Sequence, residues 1–206
     1  VFYELPTPAT SAAQSLVSCI KERRSVRNYS EAAISLAALS QVLWAIQGKT
    51  GEGSERATPS AGGLYPLHIH VLVRRVSELK HGVYEYEWNT HSLKLLDDKS
   101  PEGNLTGVGI GEQPWLEESA VVIALGANFD GPVKYFESQL PRGERGVRYV
   151  FMESGAAAQN AHLQATALGL GFVLVAGFDD AKAKNAFQFA PGFEPTALFC
   201  IGQRDD

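Results

Sequence analysis

"GVYEYEWNTHSLKLLDD" runs from Gly82 to Asp98, shortly after "LHIHVLVRRV", Leu67 to Val76. These two stretches decide the fold class. The first alternates apolar and other residues well enough to be a strand. The second reads as a hairpin: aromatic and β-branched residues, an Asn-Thr-His-Ser turn, then a second short strand. Helices are expected ahead of this block. Ser35–Gly48, "SLAALSQVLWAIQG", carries Leu36, Leu39, Leu43 and Ile46 on one face and ends on a glycine cap. Residues 7–25 read as an earlier helix with Leu16, Val17 and Ile20 at helical spacing. Beyond the hairpin, residues 100–115 are irregular, and residues 119–129 hold a buried strand. Residues 148–171 form the longest helix candidate, closing on Gly169 and Gly171. "FVLVAGF" (172–178) and "TALFCIG" (196–202) are further strands, with a short helix at 179–187. Helices first, strands irregularly interleaved and a hairpin in the middle favour α+β over regular βαβ alternation. No repeat and no linker divides residues 1–206, so one domain is expected.

The bulk numbers describe an ordinary globular chain: 206 residues, 45% hydrophobic, 20% charged. A net charge of -5 favours neither nucleic acid nor an anionic membrane surface as partner. The longest apolar stretches are far too short to span a bilayer. The sequence opens on Val1 rather than Met, which allows for a trimmed start and a targeting peptide out of view; a cytoplasmic location is the expectation. Cys19 and Cys200 are the two cysteines. Without a Cys-x-x-Cys pair there is no thiol zinc site, and two buried free thiols are expected.

Some motifs carry little. Gly169 and Gly171 stand between helix and strand, the wrong order for a dinucleotide fingerprint, and read as helix termination. His68 and His70 share one strand face, but no third ligand is evident, so no metal site is assigned. No Gly-x-Ser-x-Gly elbow supports a hydrolase.

Three segments say more together. In "KERRSVRNY", Arg23, Arg24 and Arg27 cluster beside Ser25. They suit a helix C-terminus, and equally a phosphate clamp, because guanidinium forks match phosphate oxygens. In "RATPSAGGLYP" (56–66), Gly62 and Gly63 let the backbone approach a flat ligand, while Pro59 and Pro66 restrict the loop; a plain turn before a strand is the other reading. In "LGLGFVLVAGFDD", a strand ends at Ala176-Gly177, whose small side chains leave backbone amides able to donate to a heteroaromatic nitrogen.

Arg-Arg-Ser-x-Arg, Pro-Ser-Ala-Gly-Gly-Leu-Tyr-Pro and Leu-Gly-Leu-Gly followed by Ala-Gly-Phe-Asp recur in this order in the nitroreductase-like flavoproteins. The longer stretches "LSQVLWAIQGKT", "PSAGGLYPL", "RYVFMESGAAAQNAHLQATALGLG" and "GFDD" resemble the SagB-type dehydrogenase branch, over roughly residues 15–202. The resemblance implies an α+β sandwich around a central antiparallel-rich sheet flanked by helices, in an intertwined homodimer with FMN at the interface. It implies that Arg23, Arg24, Ser25 and Arg27 hold the FMN phosphate and ribityl chain. Pro59, Ser60, Ala61 and Gly63 would come from the other subunit and line the isoalloxazine. Leu174, Val175, Ala176 and Gly177 would lie on its opposite side, with a backbone N–H near N5. Arg204 is the one basic residue left in the tail for a further phosphate contact. The small residues Gly155, Ala156, Ala157, Ala158, Ala161 and Ala165 permit close helix approach, to a partner or to the chain's own core.

The activity implied is FMN-dependent oxidoreduction: ping-pong hydride transfer through flavin N5, from a reduced donor such as NAD(P)H to a small organic acceptor. Lys134-Tyr135 matches a Lys-Tyr pair of the SagB-like branch, where the lysine would remove a ring proton as hydride leaves an azoline; an exposed lysine beside a packed tyrosine is the other reading. No peptide-binding segment is expected ahead of the domain, so generic oxidoreduction is expected ahead of azoline oxidation of a ribosomal peptide. The runner-up is a non-catalytic flavin or corrinoid binding protein on the same scaffold. An interaction domain ranks last.

Overall fold

The computed structural model describes residues 1–11, 13–99 and 103–205. Ala12, Asp206 and Ser100–Glu102, the start of the stretch read as irregular, lie outside the described residues. Seven strands form one sheet: β1 (Phe2–Glu4), β2 (Leu67–Val73), β3 (Gly82–Glu87), β4 (Ser92–Asp97), β5 (Val121–Ala127), β6 (Gly171–Val175) and β7 (Glu194–Gly202). Their order is β1-β4-β3-β2-β5-β7-β6, and every pairing is antiparallel. The expected hairpin is β3–β4, closing with Glu87 opposite Ser92. Among the described residues six α-helices accompany the sheet: α1 (Leu16–Glu22), α2 (Leu36–Gln47), α3 (Trp115–Glu118), α4 (Asp130–Tyr135), α5 (Glu144–Ala167) and α6 (Asp180–Ala186).

The sheet divides the core by the period-two rule. Val121, Ile123, Leu125 and Ala127 of β5 face one apolar cluster with Leu39, Leu43 and Ile46 of α2 and Ala157, Ala161 and Ala165 of α5. Val122 and Ala124 face the other, with Phe187, Leu116 and Leu105. Because both faces are covered, all seven residues of β5 are buried, and the strand reads as a continuous apolar run. The stripe of alanines on α5 packs against the chain's own core in this way, which lets α2 and α5 lie close. Both cysteines are buried and free; burial pushes the Cys200 thiol up to about 12, so it stays protonated.

Two expectations need correction. The first helix is Leu16–Glu22, not 7–25: the Ser15 side chain caps it by accepting from the Ser18 N–H, so the chain is not helical ahead of that point. Its apolar stripe does not face the core either. Leu16, Val17 and Ile20 are 64%, 75% and 56% exposed, and Cys19 is the buried residue of α1. The long helix begins at Glu144, before the residue 148 expected, and gives way at Leu168 to the left-handed Gly169. Gly171 is already strand, not helix terminus.

Candidate cofactor site

The arginine loop leaves α1 at Arg23, which caps the helix by donating its N–H to the Cys19 carbonyl. Its backbone is then tied at three points. The neutral ring of His162 on α5 donates from Nε2 to the Arg24 carbonyl at 2.9 Å, burial holding its pKa below the usual imidazole value. The Val26 N–H donates to the Phe172 carbonyl of β6 at 2.9 Å. The Tyr29 hydroxyl donates toward the carbonyls of Val26 (2.8 Å) and Cys200 (3.1 Å). Such close approach requires glycine at 171: a Cβ there would stand 2.9 Å from Val26 Cγ1 and 3.0 Å from Tyr29 Cε1. With the backbone fixed, Arg24, Ser25 and Arg27 are exposed and Arg23 half-exposed. Arg24 folds back onto the carbonyls of Lys21 and Arg23. The tail runs beside this loop, with Tyr29 bridged to Arg204 and the Ser30 N–H donating to the Gln203 carbonyl at 3.0 Å.

Strand β6 ends in the predicted turn. Val175 is buried, whereas Leu174, Ala176 and Gly177 are exposed. A segment read from sequence only as irregular braces this turn. The Ile110 N–H donates to the Gly177 carbonyl at 2.9 Å, and the Gln113 side-chain amide donates to the same oxygen at 2.6 Å. The Asp179 N–H donates to the Val108 carbonyl at 2.7 Å. Two residues beyond Gln113, the Trp115 ring lies under the Arg27 guanidinium, 5.3 Å from centroid to Cζ. Residues 108–115 therefore touch both the arginine loop and the Ala176–Gly177 turn. Glu117 anchors them to the sheet: its carboxylate accepts from the N–H groups of Gly103 and Leu105 and from the Arg74 guanidinium at 3.1 Å.

The Pro59–Gly63 loop forms a separate group. Ala61–Gly63 is a short 3₁₀ turn, with Gly62 and Gly63 at φ +63° and +65°. The Ala61 N–H donates to Glu153 Oε1 of α5 at 2.8 Å, and the Ser60 hydroxyl accepts from the Tyr65 N–H at 2.8 Å. Glu153 is buried and its Oε2 has no partner, so burial raises its pKa against the opposing pull of the Ala61 N–H and Ser60. The ends of the loop are pinned as well. The Arg56 guanidinium lies over the rings of Tyr65 and Trp88, 4.4 and 3.9 Å from their centroids, and Asn160 Nδ2 donates to the Ala45 and Ala57 carbonyls. Lys134 and Tyr135 end α4, both exposed, and a Cβ at Gly62 would stand 3.0 Å from the Tyr135 ring. The Lys-Tyr pair thus belongs to this group and not to the arginine loop.

The structure sorts the sequence-predicted residues into two groups: Arg23–Arg27 with Leu174–Gly177 and the bridge of Arg204 to Tyr29, and Pro59–Gly63 with Lys134–Tyr135. Both rest on α5, at His162 and Glu153, about 14 Å apart along the helix axis at the usual rise per residue. Gln113, Trp115, Glu117, Glu153 and His162 are site-supporting residues that the sequence reading missed. His68 and His70 have a structural explanation: they converge on Glu85, holding its carboxylate down to about 2 with help from Lys94. Among the described residues no cluster of three or more His, Cys, Asp or Glu could hold a metal, and no helix is long and apolar enough to cross a membrane.

This architecture is the nitroreductase fold. It superposes on a nitroreductase-type protein of Ralstonia eutropha JMP134 with a TM-score of 0.82 at 23% identity, covering 100% of this chain and 90% of that one. It also matches a chain of the E. coli microcin synthetase McbBCD complex with truncated pro-MccB17 bound (TM-score 0.76, 22% identity, 99% and 79% covered). An FMN-dependent nitroreductase of Clostridium difficile R20291 matches with TM-score 0.62 and 18% identity, over 92% and 88%. The chain belongs to the nitroreductase family, whose profile matches residues 20–203. The protein MJ1384 of Methanocaldococcus jannaschii, which bears a nitroreductase name, is 35% identical over 184 residues, 89% of this chain and 88% of that protein. This is accordingly an oxidoreductase family member.

Proposed function

We propose that this oxidoreductase binds FMN between two copies of the chain and uses it to reduce a small organic acceptor. One observation carries the reading: an exposed three-arginine loop and an exposed turn of small residues are braced to each other by one segment, residues 108–115. The arginines suit a phosphate, with Ser25 as an added hydroxyl donor, and Arg204 is bridged to Tyr29 beside them. Ala176 and Gly177 leave backbone free of bulk on the side where a ring would lie. Gly63 suits the opposite wall, because a Cβ there would meet nothing within 4 Å. The dimer is supported by apolar surface that the single chain leaves uncovered: Leu16, Val17 and Ile20 on α1, and Phe151 and Met152, 52% and 64% exposed, on α5. In that arrangement the Pro59–Gly63 loop of one copy would serve the arginine loop of the other.

When bound, FMN supplies two-electron chemistry in ping-pong order, taking hydride from a reduced donor such as NAD(P)H and passing it to the acceptor. The chain's own residues bind the phosphate, orient the ring through backbone amides and leave open the face that both substrates would use in turn. The test is the absorbance spectrum of the purified protein, then anaerobic titration with NADH and NADPH. Flavin bands that bleach are expected, with a dimer by light scattering. A colourless protein that takes up no FMN on reconstitution would overturn the reading.

A second reading has its own support. Tyr135 packs against Gly62, so the Lys-Tyr pair sits beside the loop proposed to line the flavin, as an azoline dehydrogenase of the SagB type would need. There the Lys134 amine would accept the ring proton. A synthetic thiazoline peptide tests it: oxidation lost in Lys134→Met, with nicotinamide oxidation kept, would establish this activity.

A further inference from the structure

We propose that Gln113 is a positioning residue for the Ala176–Gly177 turn, setting how that turn meets the cofactor; this rests on the FMN reading above. Ala176 and Gly177 are both exposed, between Val175 and Phe178, which are buried in the core. Hydrogen bonds from a neighbouring segment hold the exposed pair itself. Gln113 Nε2 donates to the Gly177 carbonyl at 2.6 Å and to the Ile110 carbonyl at 3.0 Å, using both of its amide protons. The Ile110 N–H fills the second acceptor position of Gly177 at 2.9 Å. Gly109 pairs with Phe178 in an antiparallel bridge, and the Asp179 N–H closes the far end on the Val108 carbonyl.

One side chain therefore locks two facing carbonyls, one on each segment, at the point where the turn leaves the sheet. An ideal Cβ at Gly177 would lie 3.7 Å from Gln113 Nε2 and 4.0 Å from Ile110 Cβ, so both side chains lie alongside the turn. Peptide planes held from outside in this way are preorganised, and backbone donors serve electron transfer only when already aimed. Gln113 itself need not touch the cofactor. Leucine or methionine at 113 would fill similar space without a donor, and glutamate would set a carboxylate oxygen against the Gly177 carbonyl.

The experiment compares Gln113→Met and Gln113→Glu with the wild type in four measurements. These are thermal midpoint, amide hydrogen exchange of the apo-protein, FMN titration with the bound flavin's absorption spectrum, and stopped-flow reduction of bound flavin by NADH or NADPH. Both variants should melt within about 6 °C of wild type, as expected for loss of two exposed hydrogen bonds of about 0.5–1 kcal/mol each. The Ile110 and Asp179 amides should exchange about tenfold faster in Gln113→Met. FMN should bind about fivefold more weakly, one hydrogen bond's worth. The flavin bands should shift, and reduction at saturating FMN should slow about tenfold, an order-of-magnitude expectation for a misaligned donor. Gln113→Glu should recover toward wild type at pH 5 relative to pH 8, as its carboxyl regains a proton to donate. Faster exchange with an unchanged spectrum, affinity and reduction rate would make Gln113 structural only and overturn the inference while leaving the FMN reading intact. A wild-type protein that takes up no FMN would overturn both.

Discussion

The loops Arg23–Arg27 and Pro59–Gly63 both rest on α5, yet they are held there in different ways. The first is tied by neutral partners: the His162 ring, the Phe172 carbonyl and the Tyr29 hydroxyl. Each accepts or donates what it has, and the loop's backbone is fixed whatever its guanidinium groups bind. The second hangs on a buried carboxylate, Glu153, with one oxygen on the Ala61 N–H and the other without a partner. A fully partnered anchor gives a fixed loop. A half-partnered one leaves a loop whose grip depends on protonation. The largest expected effect therefore comes from removing the first anchor. Phe172 is 1% exposed, stacks on His162 with centroids 4.4 Å apart and holds Val26 through its carbonyl. Phe172→Ala should cost about 3–5 kcal/mol, the usual range for a buried phenylalanine. Urea unfolding measures it, and a cost near zero would mean that the Phe172 ring, with the His162 ring stacked on it, is not packed as tightly as its burial implies.

The next effect separates the charges from their scaffold. Arg23→Ala with Arg27→Ala should leave the melting temperature nearly unchanged, because neither side chain is buried. FMN affinity should fall about 100-fold, taking about tenfold for each lost charge-assisted hydrogen bond. The wild-type affinity should also weaken with salt more steeply than the double variant's, since screening acts on exposed charges. Fluorescence titration at two ionic strengths reads both. Equal salt dependence would move the phosphate elsewhere.

How much of this was legible in the sequence follows from the range of the interactions. Period-two and period-3.6 patterns are local, so β2–β7, α2, α5 and α6 could all be read, with ends displaced by a few residues. Strand β1 has three residues, too few for a pattern, and exists because it pairs with β4 at the sheet edge. Helix α1 carried a true apolar stripe, but pattern alone does not say which surface the stripe faces. The three motif segments were readable because glycine, proline and clustered arginine are informative by themselves. Their supports were not. Glu153 meets Ala61 across 92 positions, and Gln113 meets Gly177 across 64. A glutamate inside an alanine-rich helix face was the one visible sign, because a carboxylate among residues that pack closely needs a partner. Residues 108–115 gave no such sign, since a brace made of backbone groups and one glutamine has no periodicity.

The buried carboxylate makes the second loop sensitive to pH. Burial raises the Glu153 pKa above its value in the unfolded chain, so the folded state binds the proton more readily. Its contribution is then present in full below the usual carboxylate range and is lost as pH rises through the folded-state value. Glu153→Gln keeps an acceptor for the Ala61 N–H and removes that titration. Stability of the variant relative to wild type should therefore improve from pH 4 to pH 8. Glu153→Ala, which strands the Ala61 N–H, should cost about 1–3 kcal/mol at either pH. Thermal melts at the two pH values decide it, and a wild type and Glu153→Gln that run parallel would place no weight on the unpartnered oxygen.

The smallest of these effects, about tenfold in FMN affinity, is expected at Gly63, where it is also most informative about the loop. Its φ of +65° is a left-handed conformation, costing a residue with a side chain about 1–2 kcal/mol, less for asparagine, which adopts it more readily. Space is not the obstacle, since a Cβ there meets no atom of this chain within 4 Å. Gly63→Asn should thus melt close to wild type and bind FMN within a few-fold. Gly63→Trp should lose about 1 kcal/mol of stability by the same backbone argument, yet bind FMN about tenfold more weakly, because the open space beside residue 63 is where the flavin is proposed to lie. The two variants differ chiefly in bulk, and their difference in backbone strain is read separately from the melts, so the contrast in FMN affinity reports occupancy of that space. If tryptophan and asparagine leave FMN affinity alike, the Pro59–Gly63 loop is a connector between α2 and β2, and the wall of the cofactor site must be sought among other residues.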